Sequence, residues 1–234
     1  MNKKNILYGL FLASLLLFGI FLSACSQNNI DYSKMIIDKV VEIKVCDSSE
    51  NIIGYATGTV VTEKKLILTN RHTIRYLNKE TQKYEIYPNI YCRYYKEYDY
   101  FKVSVNSIST NQDFAFLDTN EHINNYFKLS NTKPKMSEEV HTIGNSNGFG
   151  LAYSRGYIAM DSVYVHYENQ NNIYINACIP VSEGNSGGPL VSSEGELLGI
   201  ITFRLKNRNG EVITNNCYCI TTNDIINYIQ NASI

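Results

Sequence analysis

Ser186 sits in Gly184-Asn185-Ser186-Gly187-Gly188-Pro189-Leu190, a serine wrapped in glycines. Residues without a Cβ reach turn conformations closed to others and let a second carbonyl approach the backbone closely. Two amides there, those of Gly184 and Ser186, could face one developing oxyanion, which makes Ser186 a candidate nucleophile for acyl transfer. The same Gly-x-Ser-x-Gly pattern also fits a plain turn between strands. The decision rests on whether Ser186 has partners.

A serine nucleophile needs a base. The chain offers four histidines: His72, His122, His141 and His166. His72 ends the run Lys65-Leu66-Ile67-Leu68-Thr69-Asn70-Arg71-His72, where an apolar strand turns polar, so its ring is expected at a strand end. His141 and His166 fall within alternating strands and His122 in a loop, and all three read as solvated surface side chains. The base in turn needs a carboxylate to fix its tautomer. Asp113 opens the apolar stretch Phe114-Ala115-Phe116-Leu117, where an acid is costly to bury unless something pairs with it.

Chain order separates the known serine designs. The nucleophile elbow of α/β-hydrolases runs Ser, acid, His, yet no histidine follows Ser186. A subtilisin order would place the acid before His72, at Asp31, Asp38 or Asp47, but the βαβ pattern of that fold is absent. The order His72, Asp113, Ser186 is that of the chymotrypsin design.

The elements that must position these residues read as strands almost throughout. Short β-branched or aromatic runs separated by polar turns predict strands at 40–45, 52–61, 65–68, 84–95, 101–108 and 113–117. After a break at 119–131 they resume at 139–143, 151–161, 162–168, 172–178, 189–191, 197–204 and 216–221. Only 223–229 reads as a helix, with Asn223 as its N-cap and Asp224 in its first turn. Strands without intervening helices argue for antiparallel sandwiches or barrels. The break near residue 125 divides them into two lobes, 34–125 and 126–234, with the site expected between them.

The amino end differs from the rest. Lys3 and Lys4 precede an apolar run from Ile6 to Phe21, followed by Leu22-Ser23-Ala24-Cys25, the pattern of a secretory signal over residues 1–24. Its end resembles a bacterial lipobox, which implies a lipidated Cys25 as first mature residue and a polar tether over 25–33. Acyl chains on Cys25 would hold the domain on the outer face of a bacterial cell membrane. Charged residues are 18% of the chain and the net charge is −1, so no basic nucleic-acid patch is implied. Beyond Cys25 there are five cysteines, an odd number without zinc spacing, which read as small buried residues with at most one bridge. The tyrosines at 84, 87, 91, 94, 95, 98 and 100 read as strand residues packed on one face and wet on the other.

Taken together, Leu68-Thr69-Asn70-Arg71-His72, Asp113-Phe114-Ala115-Phe116-Leu117 and Gly184-Asn185-Ser186-Gly187-Gly188-Pro189-Leu190 resemble the three signature blocks of the trypsin-like, chymotrypsin-fold serine peptidases, in the HtrA/DegP group. The resemblance implies an all-β fold of two six-stranded Greek-key barrels with a C-terminal helix. It implies a membrane-anchored endopeptidase with His72, Asp113 and Ser186 as triad and the Gly184 and Ser186 amides as oxyanion hole. It needs no metal or cofactor and acts on a protein or peptide substrate.

By the same resemblance Thr202, Phe203 and Arg204 would pair with substrate backbone, and Pro180 would floor the primary pocket. An uncharged Pro180 favours a small or medium apolar side chain over a basic one. Arg204 could instead attract acidic substrates, but beside Lys206 and Arg208 it reads more readily as a solvated loop residue. Only 48 residues (234 minus 186) follow the serine, too few for the PDZ domain of the group. Asn185 stands where trypsin has an Asp that pairs with a newly cut amino terminus, so activation by propeptide cleavage is not expected. The alternative is a catalytically silent relative that binds a protein or cell-surface partner through the same cleft.

Overall fold

Short apolar strands, most of them buried along both faces, build the framework. The computed structural model describes residues 31–64, 66–121, 125–167, 170–204, 209–213 and 215–232. The leader, Cys25 and most of the tether lie outside the described residues, as do Lys65, His122, Lys206 and Arg208. Tyr32 and Ser33, read from the sequence as tether, already belong to helix α1 (Tyr32–Ile36), and a 3-10 turn (Ile37–Lys39) follows.

The first lobe contains β1 (Val40–Cys46), β2 (Ile52–Val61), β3 (Leu66–Thr69), helix α2 (Arg71–Ile74), β4 (Arg75–Leu77), β5 (Tyr84–Ile86), β6 (Asn89–Tyr94), β7 (Phe101–Lys102), β8 (Ser104–Ile108) and β9 (Ala115–Asp118). Its main sheet runs β7-β6-β1-β2-β3-β9-β8, all pairs antiparallel. The two ends of that order are consecutive pieces of one stretch, interrupted at Val103, whose N–H reaches the Ile90 carbonyl at 3.0 Å. One segment therefore pairs with β6 on one side and β9 on the other, and the sheet closes as a six-stranded barrel around Val41, Ile43, Val60, Ile67 and Leu117. The return of β6 to the side of β1 after three consecutive strands is a Greek key.

The second lobe contains β10 (Glu139–Asn145), β11 (Leu151–Tyr167), β12 (Gln170–Cys178), β13 (Pro189–Ser192), β14 (Leu197–Phe203), β15 (Cys217–Thr221) and helix α3 (Thr222–Ala232). It is a closed barrel in the order β10-β11-β12-β15-β14-β13, again a Greek key. A core of Val140, Ile158, Ile175, Leu190 and Leu198 fills it. A third apolar cluster joins the lobes: Phe114 and Phe116 of the first meet Ile143, Tyr174 and Ile200 of the second and Ile225 of α3. Tyr228 of α3 sets its ring edge-on to Phe114, with centroids 5.1 Å apart.

Several boundaries differ from the pattern reading, each for a physical reason. Residues 84–95 divide at Pro88, which has no N–H for a ladder. Residues 151–167 form one strand, because register shifts around Met160 bend it where polar residues had suggested a turn. Thr221, and not Asn223, caps α3: its hydroxyl accepts the Asp224 N–H at 3.1 Å and donates to the Asp224 carboxylate at 2.7 Å. All five described cysteines are free thiols, four of them buried. Of the tyrosines, Tyr87 and Tyr94 pack on the first-lobe core, Tyr84, Tyr95 and Tyr98 are exposed, and Tyr91 and Tyr100 lie over the Lys44 ammonium at 5.1 and 4.2 Å.

His141 is fully buried instead of solvated. Its ring stacks on Tyr32 at 4.0 Å, and Nδ1 lies 2.7 Å from the Tyr153 hydroxyl. Burial holds its pKa below the ordinary value of 6.5. The unfolded chain thus takes up this proton more readily, so stability is fully present above 6.5 and is lost as pH falls towards the lowered value. His141→Gln should shrink the loss in urea midpoint between about pH 7.5 and about pH 5.5. An unchanged loss would place that titration elsewhere.

Candidate functional site

The strand β3 ends at Thr69, and the polar run after it folds into the single turn α2, which carries His72 out of the barrel wall. Thr73 secures the turn by donating its hydroxyl to the Asn70 carbonyl at 2.7 Å. Four residues with a tertiary anchor make this helix, and their own pattern does not announce it. Asp113 sits in the turn just before β9 and not within the strand, which leaves its carboxylate free to face α2.

Both oxygens of Asp113 serve His72. Oδ1 accepts the His72 backbone N–H at 2.9 Å and Oδ2 lies 2.5 Å from Nδ1. The carboxylate is 2% exposed and the imidazole 39%. A buried carboxylate at Nδ1 fixes the tautomer that carries its proton there and leaves Nε2 as the acceptor facing the cleft. Arg71, buried behind them, donates Nη1 to the carbonyls of Ser109 at 2.8 Å and Thr110 at 3.2 Å, and so holds the turn that presents Asp113. Asn70 donates Nδ2 to the Asp113 carbonyl at 2.8 Å and to Thr202 Oγ1 at 3.2 Å, tying the first lobe to the second.

Ser186 lies on the loop between β12 and β13, and its hydroxyl donates to the Thr202 carbonyl at 3.3 Å. Two clefts, of about 250 and 370 Å³, share His72 and Ser186 in their lining. In a trans peptide the carbonyl and the following N–H point in opposite directions. The Glu183 carbonyl accepts the Asn147 N–H at 2.7 Å and the Asn185 carbonyl accepts the Gly188 N–H at 2.9 Å. Those two bonds turn the N–H groups of Gly184 and Ser186 the other way. Gly184 has φ +90 and a Cβ there would lie 2.0 Å from the Asn145 carbonyl oxygen, so only glycine permits this peptide orientation.

The loop is held from beneath by β2. Thr57 donates its N–H to the Ser186 carbonyl at 2.9 Å and its hydroxyl to the Gly184 carbonyl at 2.7 Å. Thr59 donates its hydroxyl to the Gly187 carbonyl at 2.8 Å. Asn185 is buried, and its side-chain oxygen accepts the hydroxyls of Ser146 at 3.0 Å and Ser182 at 3.2 Å. Sequence reasoning assigned no role to Thr57, Asn70 or Asn147. The one signal available was the pair of threonines on the same face of an apolar strand.

The structure brings together His72, Asp113, Ser186, Gly184, Thr202, Phe203 and Arg204. Pro180 is not among them. It is exposed and lines a separate depression with Tyr157 and Cys178. The apolar lining beside Ser186 comes instead from Val181, Ile201, Phe203 and Val212. The loop that leaves β12 at Cys178 enters the cleft at Val181, one residue past Pro180.

Residues 56–200 match the trypsin-like peptidase domain, and the chain belongs to that family. It is 30% identical over 168 residues to the pro-apoptotic serine protease NMA111 of Debaryomyces hansenii, covering 66% of this chain and 16% of that protein. With NMA111 of Lodderomyces elongisporus it shares 27% over 186 residues, 71% of this chain and 18% of that one. The chain thus spans less than a fifth of the length of these curated relatives. The active form of the Rv3671c protease from M. tuberculosis superposes with a TM-score of 0.70 at 16% identity, over 86% of this chain and 84% of that one. A serine endoprotease from Yersinia pestis does so with a TM-score of 0.65 at 22% identity, over 86% and 64%. These solved structures share the fold.

Gly184→Ala should slow labelling of Ser186 by a fluorophosphonate, a probe of activated serines, by roughly 10²- to 10³-fold through loss of one oriented donor. Labelling at the native rate would show that this amide takes no part.

Proposed function

We propose that the protein is a serine endopeptidase that hydrolyses peptide bonds through His72, Asp113 and Ser186. The observation that carries this reading is the double grip of Asp113 on the backbone and ring of His72, in clefts that His72 shares with Ser186. Rotation about χ1 carries the Ser186 hydroxyl from the Thr202 carbonyl towards Nε2. His72 takes its proton as the oxygen attacks the substrate carbonyl, and Asp113 stabilises the resulting imidazolium. The amides of Gly184 and Ser186, already oriented, receive the oxyanion without reorganisation. The imidazolium then protonates the leaving amine, and water, activated by the same ring, hydrolyses the acyl-enzyme.

Thr202, Phe203 and Arg204 form the wall along which the substrate chain runs. Phe203 is braced by Tyr218, stacked at 5.2 Å, so that wall is firm. Asn185 draws its support from two serine hydroxyls, which fits an enzyme that needs no newly cut amine to order its oxyanion loop. The sequence ahead of the domain supports export and attachment to the outer face of a bacterial cell membrane through lipidated Cys25.

Ser186→Ala should abolish fluorophosphonate labelling, and Asp113→Asn should slow it by about 10³- to 10⁴-fold. A protein that is not labelled, or that is labelled equally well without Ser186, is the silent binder instead. Cys25→Ala should move the protein from the membrane fraction to the soluble one. Retention unchanged would make the apolar run itself the anchor.

A further inference from the structure

The cleft on the Thr202 side of Ser186 contains a cation that hydrolysis itself does not use. Arg204 follows β14 and lines this cleft together with His72 and Ser186, which favours the acid-attracting reading of this residue over the solvated-loop one. Its side chain is 24% exposed, whereas Glu183, its ion-pair partner on the facing wall, is 87% exposed and 3.9 Å away. An ion pair that is solvated on one side contributes little and is readily exchanged for another carboxylate. The surrounding Val181, Ile201, Phe203 and Val212 are apolar. They suit the methylene stem of an incoming side chain, and by excluding water they strengthen a charge pair at its tip. A planar guanidinium takes both oxygens of a carboxylate, a geometry that a neutral amide of the same shape does not match. A basic side chain would meet like charge.

We propose that Arg204 makes this peptidase selective for an acidic side chain, Glu above all, on the acyl side of the bond it cuts, with Glu183 occupying the guanidinium while the cleft is empty. The proposal rests on the reading of Ser186 as nucleophile.

The test compares peptides that differ only in Glu, Gln or Leu at each of the three positions on the acyl side. For the purified protein at low salt, kcat/KM should be about tenfold or more higher for Glu than for Gln at one of them. That ratio should fall towards one in Arg204→Gln, persist in part in Arg204→Lys, and narrow as salt is added. Glu183→Gln, which removes the internal competitor, should raise kcat/KM for the Glu peptide several-fold, on the order of the loss of one exposed ion pair. Equal cleavage of Glu and Gln peptides, or a preference for Leu, overturns the proposal. Fluorophosphonate labelling of the same preparation separates the two ways to fail. A labelled enzyme without acidic preference sinks the specificity and leaves the nucleophile standing, whereas an unlabelled one sinks both. Should Arg204→Gln not fold, the Lys variant and the salt series decide the question.

Discussion

Three hydrogen bonds between β2 and the serine loop join the two halves of the site. Thr57 uses both its amide and its hydroxyl, and Thr59 its hydroxyl, on the carbonyls of Ser186, Gly184 and Gly187. Together they contribute on the order of 3 kcal/mol, since a typical net hydrogen bond is worth about 1. That is small beside the apolar contacts that hold the lobes together, but its effect is positional. Without this seam, His72 would still be gripped by Asp113 and Ser186 would still lie on a Gly-rich turn, but the carbonyls of the serine loop would lose their direct link to β2. Asn70 adds a second tie, from Asp113 to Thr202.

The seam is possible because each barrel is closed and stiff. In the first lobe one segment pairs at both ends of the sheet, so β2 cannot drift relative to β3 and α2. In the second, β14 holds the loop, since Gly187 donates its N–H to the Ile201 carbonyl at 2.8 Å, and β10 meets the seam where the Asn145 N–H reaches Thr57 Oγ1 at 2.9 Å. Phe114 and Phe116, next to Asp113 in sequence, enter the shared core with α3. The acid is therefore placed by the same stretch that joins the lobes.

That His72, Asp113 and Ser186 lie together was legible in the sequence because each breaks its local pattern: a polar end on an apolar strand, an acid before an apolar run, a serine among glycines. The all-β architecture followed from strand spacing. The supporting residues were not legible. A threonine in a strand is ordinary, and the partners of Thr57 and Thr59 lie 127 and 128 positions away. His141 reads as a surface residue until Tyr32, from outside the barrel, stacks on it. Arg204 lines the cleft as the sequence led one to expect and Pro180 does not, because which loop residues face a cleft depends on how the loop leaves its strand and not on distance along the chain.

The length of those connections has a bearing on how the chain comes into being. His72 and Asp113 lie 41 positions apart within one lobe, whereas Thr57 and Thr59 reach partners 127 and 128 positions away in the other. Contacts this distant in sequence form late in folding, after the loops that separate them have been closed. A nascent or half-folded chain therefore lacks the frame that orients the Gly184 and Ser186 amides. Such a chain would hold the acid and the ring of the site without the amides that the proposed acyl transfer needs.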